Sequence, residues 1–392
     1  MGCLGGMLPR HGALAMPNHW SLVPSPMRRT VAPIALLTLA CALPAPTAEA
    51  APRWGPQYCP PGAKLVGQAP PAGFERYCMR ERNGDFLRHG AYRSWYDNGR
   101  KHVFGRYANG EKVGRWYEYF DDGRLWAEAD WRNGLRHGNE RRFHHEGGVA
   151  LEAAWRLGKP VGTRRRYHAS GKPAEVAHFR NGALHGDYAA WHANGLPARS
   201  GRYEAGLQVG PWQEFHESGA KKSVGHYIAG KEHGDFEVLR EDGSVDWRGH
   251  FEHGQKHGTF TTYHPSGSLQ SREGWRFDRR QGKSSTFDAD GKLRTETDYV
   301  DDVKQGWDRV YFASGPVQHE TPYVAGRRVG LERRFFEGGR VAAEVPWVDD
   351  ERHGLERRWH LSGSVEAAVC YVHGRERWVT ASEGEANVRA CP

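Results

Sequence analysis

A glycine recurs at an interval of 24 residues twelve times without an insertion, at Gly90, Gly114, Gly138, Gly162, Gly186, Gly210, Gly234, Gly258, Gly282, Gly306, Gly330 and Gly354. Five residues after these glycines stand Trp95, Tyr119, Phe143, Tyr167, Trp191, Phe215, Leu239, Tyr263, Phe287, Tyr311, Phe335 and Trp359, with Leu239 the one non-aromatic. A second glycine follows at nine residues, as in Gly99, Gly123 and Gly147. An aromatic follows at seventeen in every unit: Tyr107, Trp131, Trp155, Phe179, Tyr203, Tyr227, Phe251, Trp275, Tyr299, Tyr323, Trp347 and Tyr371. A fixed period of this length marks a repeat architecture whose units bury their apolar faces against their neighbours. The 392 residues therefore measure extent, and one elongated body replaces the two ordinary domains such a length would allow.

The unit opening at Gly114 runs Gly114-Arg115-Trp116-Tyr117-Glu118-Tyr119-Phe120, then Asp121-Asp122-Gly123, then Arg124 to Trp131, then Arg132-Asn133-Gly134. Aromatic and β-branched residues between Asn-Gly, Asp-Gly or Ser-Gly pairs spell strand, turn, strand, turn. Asn98, Asp122, Ser170, Asn194 and Ser218 precede their glycines, and such residues tolerate left-handed backbone and tight turns. No unit carries a helical apolar period. The expected fold is all-β: an elongated, solenoid-like rod made of a single antiparallel sheet of about twelve 24-residue hairpins. At about 4.8 Å between strands it is roughly 110 to 120 Å long. Trp95, Tyr107, Tyr119, Trp131, Trp191, Tyr203, Phe215 and Tyr227 are candidate core aromatics of a continuous ladder.

Residues 1–50 read as an N-terminal extension with an export signal. Met27-Arg28-Arg29 is a basic start, with Met27 the expected initiator, Thr30 to Leu43 is apolar, and Ala48-Glu49-Ala50 reads as a cleavage site. A lipid anchor at Cys41 is disfavoured because Thr38 stands where a lipobox has leucine. A periplasmic or secreted protein is expected, with a cap over 51–89, repeats over 90–374 and a second cap over 375–392. Removing residues 1–50 changes the charge to (55 − 3) − (47 − 1) = +6. Basic and acidic residues interleave, which reads as a solvated mixed-charge surface and argues against nucleic acid as a partner. Of the four remaining cysteines, Cys59 and Cys78 precede the repeats and Cys370 and Cys391 close them. Because the ends of a rod are far apart, the expected pairs are Cys59 with Cys78 and Cys370 with Cys391.

The pattern Gly210-Pro211-Trp212-Gln213-Glu214-Phe215-His216-Glu217-Ser218-Gly219, with Tyr227 and Lys231-Glu232-His233-Gly234, resembles the MORN repeat. Its period is closest to the bacterial variant form, whose members often carry the label of antitoxin components of toxin-antitoxin systems. The resemblance covers about Gly90 to Gly374 and implies scaffolding, protein binding or lipid association. Asp278, Asp302 and Asp350 replace the third glycine, and Arg164, Ser284, Asp308, Glu332 and Glu356 replace the early aromatic. Looser units are expected there.

Little in the chain points to catalysis. His144, His168, His192 and His216 occupy one position of four consecutive units. Equivalent atoms roughly 10 Å apart cannot share a zinc ion whose ligands lie at about 2.1 Å, so a structural role is expected and no metal or cofactor is assigned. His89, His137, His185, His233, His257 and His353 precede the opening glycines and read as turn-flanking residues. The pairs Asp121-Asp122, Asp301-Asp302 and Asp349-Asp350 fit turns better than a hydrolytic carboxylate pair. The expectation is a non-enzymatic exported scaffold that binds protein along its sheet face or edges. Envelope polysaccharide or membrane-surface binding and an antitoxin or immunity-like role are the alternatives, and a hydrolase using scattered Asp, Glu and His is the reading of another class.

Overall fold

The computed structural model describes residues 59–392; the export signal, Met27, Cys41 and the cleavage site after Ala50 lie outside the described residues. Within them, 31 antiparallel strands form one open sheet that does not close into a barrel. Strands pair with their neighbours in sequence, and where one is interrupted, as at Lys231–Glu232 and Gly234–Leu239, both pieces pair with the strand before, so the described chain is a meander. The sheet begins before the first repeat, with β1 (Ala63–Gln68), β2 (Glu75–Arg82) and β3 (Asp85–Trp95). It ends with Arg375–Thr380 and the short helix α1 (Glu383–Val388), which Ser382 caps by accepting from the Glu385 N–H. Cys59 is bonded to Cys78 and Cys370 to Cys391. Both bonds tie a terminal segment to the strand next to the outermost one, Cys78 on Glu75–Arg82 and Cys370 on Val365–Val372, close to where a repeat stack lacks a neighbour on one side.

Each unit is joined by two different turns. The first joins Glu111–Tyr119 to Leu125–Arg132, with Phe120 N–H donating to the Arg124 carbonyl at 2.8 Å. The Asp122 carboxylate accepts from the Arg124 N–H at 2.9 Å, and Asn98 and Asn194 do the same in their units. These residues act through side-chain bonds to the backbone and do not adopt left-handed backbone, contrary to the sequence expectation. The left-handed positions fall in the second turn. Asn133 and Gly134 have φ of 50° and 74°, two consecutive positive values that define the primed hairpin turn matched to strand twist.

Successive turns are stitched together. The Gly134 N–H donates to the Lys112 carbonyl at 3.0 Å, and the same bond recurs from Gly158 to Arg136 and Gly230 to Gln208. The units with Asp in place of the third glycine are not looser. Asp278, Asp302 and Asp350 adopt φ of 66°, 69° and 68°. Their carboxylates accept from the N–H groups of Lys256, Arg280 and Arg328 at 2.8 to 3.0 Å. Aspartate tolerates the left-handed region, and the added bond ties its turn to the preceding one.

Candidate functional site

The most buried row is one the sequence pattern did not single out as core: the residue two positions after each opening glycine. Trp116 and Trp212 are 2% and 3% exposed, and Phe236 and Phe260 are also buried. Facing each ring is the fifteenth residue of the preceding unit, which is glycine at Gly105, Gly201, Gly225 and Gly249. A β-carbon at Gly201 would lie 2.2 Å from Trp212 Cδ2, so no larger residue fits. Where the ring is absent the partner grows: Ala129 faces Glu140, Thr297 faces Asp308, and Thr321 and Val345 occupy the same place before Glu332 and Glu356.

Those replacements are tightly held. Glu140, Glu332 and Glu356 are 2%, 3% and 1% exposed. Trp347 Nε1 donates to Glu332 at 2.9 Å, while Arg334 and His319 lie 2.9 and 3.1 Å from its other oxygen. Trp155 Nε1 and Arg142 serve Glu140 in the same way, and Arg352 and Arg358 hold Glu356. Burial pushes the Glu332 carboxyl up, but hydrogen bonds and charge from His319 and Arg334 outweigh it and hold the group at about 2. The substituted units thus keep a filled core, because a hydrogen-bonded carboxylate with cationic partners is a tolerable occupant of the ring's place.

The nominated aromatics divide between two faces. Tyr107, Trp131, Tyr203 and Tyr227 are half-buried and flank the buried row; Tyr203 meets Trp212 edge-on at 5.0 Å. Trp95, Tyr119, Trp191 and Phe215 are half-buried on the opposite face, where Phe104 packs on Tyr119 at 5.7 Å. A single ladder is therefore replaced by two. Cations two positions before the opening glycines cover the rings of the first: Lys112 lies 4.7 Å from the Trp131 ring, and Arg328 3.6 Å from that of Trp347.

The histidines are staples. His144, His168, His192, His216 and His264 each donate from Nε2 to the carbonyl at the start of the next unit's first turn, at 2.9 to 3.0 Å. His89, His137, His185 and His353 accept at Nδ1 from the backbone N–H of the left-handed turn residue; the Asn109 N–H, for example, donates to His89 at 3.2 Å. Asp302 and Asp350 serve turns as described, and Asp122 also meets Arg124 and His145.

Charge is less evenly spread than the sequence suggests at first reading. Residues 132–185 contain 11 Lys or Arg against 4 Asp or Glu, a net of 11 − 4 = +7, against +8 for the whole chain. By contrast, the face carrying Glu296, Arg309, Glu320, Arg333 and Glu344 in register is an alternating ladder with ion pairs of 3.2 to 3.6 Å, so its charges are spent internally. Two open clefts cross the sheet. One of about 640 Å³ includes Arg142, Leu151 and Arg166 of the basic segment together with Ala190, and one of about 870 Å³ includes Val224, Arg248 and Thr261.

An open sheet of repeated hairpins, with side chains spent on packing and with broad clefts, has the architecture of a repeat scaffold. Sequence comparison agrees with that class. The MORN repeat variant matches residues 160–181, 256–274 and 280–301, so these stretches are MORN-type units, and the same 24-residue frame runs from Gly90 to Gly374. No curated protein matches. Among solved structures, the chain is similar to one titled "Crystal Structure of TcdB2-TccC3-Cdc42" at 13% identity and a TM-score of 0.15, over 76% of this chain and 15% of that one. A second is "Structure of Photorhabdus luminescens Tc holotoxin pore, Mutation TccC3-D651A", at 11% identity and a TM-score of 0.15, over 78% and 20%. The chain spans about a fifth or less of those two chains.

Proposed function

We propose that this protein is a non-enzymatic scaffold that holds a protein partner against its sheet, outside the cytoplasm. The observation that carries the reading is the use of the described chain: apart from short ends it is one open sheet of a single repeated unit. In such a sheet the core rows, turn staples and charge ladders stabilise the stack and leave extended faces for contact. The two disulfides support an oxidising compartment. Many of the carboxylates and histidines that drew attention as catalytic candidates, among them Asp122, Asp302, Asp350, His144, His168, His192 and His216, have structural partners, which supports binding over hydrolysis.

The test is photo-cross-linking from the native envelope, with the reactive group on an exposed residue of the unit opening at Gly186, such as Asp187. A dominant protein adduct is the expected result. Recovery of glycan or lipid alone, or nothing above a scrambled-surface control, would contradict protein scaffolding.

A further inference from the structure

We infer that the cleft around Arg166 is the docking site for an acidic protein segment with interleaved apolar residues. This rests on the protein-binding reading above and names where the partner sits and what chemistry it presents.

The register builds the cleft. Ala127, Arg142, Leu151, Arg166, Glu175, Ala190 and Arg199 stand directly opposite one another across successive strands, and directly opposed residues share a face. The chain thus places a row of alternating charge and small apolar side chains across the sheet. In the cleft of about 640 Å³, Leu151, Ala150, Ala174 and Ala190 supply apolar surface, and Trp126, 39% exposed, stands near one end with Phe120.

Its charges are unequally satisfied. Arg142 is paired with the buried Glu140 at 2.8 Å, and Glu175 is paired with Arg164 at 2.7 Å. His144 is committed to the Tyr167 carbonyl, and His145 lies beside Asp122 and Glu146. Arg166 alone of the cleft's arginines has no ion-pair or hydrogen-bond partner among the described residues, and it is exposed. Most of the cleft's lining, Arg166 included, comes from the segment 132–185 that holds a net +7. A solvated guanidinium beside apolar surface, in a basic field, is complementary to a carboxylate flanked by apolar groups.

The open charge of the lining favours an anionic partner over a neutral polysaccharide. Arg166 is the cleft arginine left to a ligand, and a neutral glycan would bring it no counter-charge. Alanine and leucine surface suits aliphatic side chains on one face of an extended peptide, with its acidic residues reaching Arg166.

The experiment measures fluorescence anisotropy of a labelled peptide of alternating glutamate and leucine against the full-length protein. Arg166→Glu is the test variant. Arg279→Glu, an exposed arginine of another unit, is the matched charge control, and circular dichroism shows that both remain folded. The expected result is binding that weakens with salt, falls about tenfold in Arg166→Glu and changes less than about twofold in Arg279→Glu. No binding, or an equal loss in both variants, overturns the site. Displacement of the peptide by polygalacturonate or by phosphatidylglycerol vesicles at lower carboxylate or phosphate concentration than by free peptide also overturns it, in favour of glycan or membrane. If Arg166→Glu still yields the native protein adduct undiminished, this cleft fails while the scaffold reading stands.

Discussion

The unit opening at Gly210 and the unit opening at Gly330 share a backbone and fill its most buried position in opposite ways. In the first, Trp212 lies on Gly201 and meets Tyr203 and Tyr227. In the second, Glu332 takes the ring's place, tied to Trp347, Arg334 and His319, with Thr321 where the glycine would be. One solution rests on shape and dispersion, the other on hydrogen bonds and charge. The repeat therefore constrains backbone and pairing more strictly than the chemistry of its core, and each choice is made jointly across two units.

The largest separation is expected from truncating the ring. Trp212→Ala should cost about 3 to 5 kcal/mol by removing a buried indole that neighbouring strands cannot collapse to replace, read as a lowered denaturant midpoint. Glu332→Ala should cost about 2 to 3 kcal/mol, because Trp347 Nε1 loses its acceptor while the cations, partly exposed, recover water. In that variant, Trp347 fluorescence should respond and the Trp212 region should not. Gly201→Ala should cost about 1 to 3 kcal/mol, since its β-carbon must displace the indole. Restoring a smaller residue through the added change Trp212→Leu should recover part of the loss, an outcome that a mere backbone preference for glycine would not give. The smallest effect belongs to a staple at the edge of the first region: His192→Ala removes the bond to the Phe215 carbonyl and should cost about 1 kcal/mol, measured as faster hydrogen exchange at the adjoining turn.

The period made the architecture legible, because glycines needed at turns and aromatics on strands recur at fixed spacing in this sequence. The division of the aromatics between two faces was not, since the bulge near each first turn, as between Glu118 and Tyr119, shifts the alternation that would assign them. The buried row was visible as an early aromatic, but Glu332 and Glu356 read as defects, and Glu140 went unmarked, because partners such as Trp347 and Trp155 come from other strands. Its covariation with the fifteenth residue, from Gly201 with Trp212 to Thr321 with Glu332, is present in the sequence and gains meaning once register sets the pairs opposite. The Arg166 cleft was hidden for the same reason. Arg164, Arg165 and Arg166 look alike as a basic run, and the strands separate them into a paired cation, one on the other face, and one open to a ligand.

The most direct test of the two-chemistry core is hydrogen exchange resolved by region, corrected for intrinsic rates, at successive acid pH values. Glu332 is held at about 2 against an ordinary 4.5, so its charged form favours the folded state and its contribution is lost as pH falls from about 4.5 through about 2. Protection over residues 330–348 should then decline relative to residues 210–228, where the core position is Trp212. An equal decline in both regions, or retained protection around Glu332 below that range, would contradict the account.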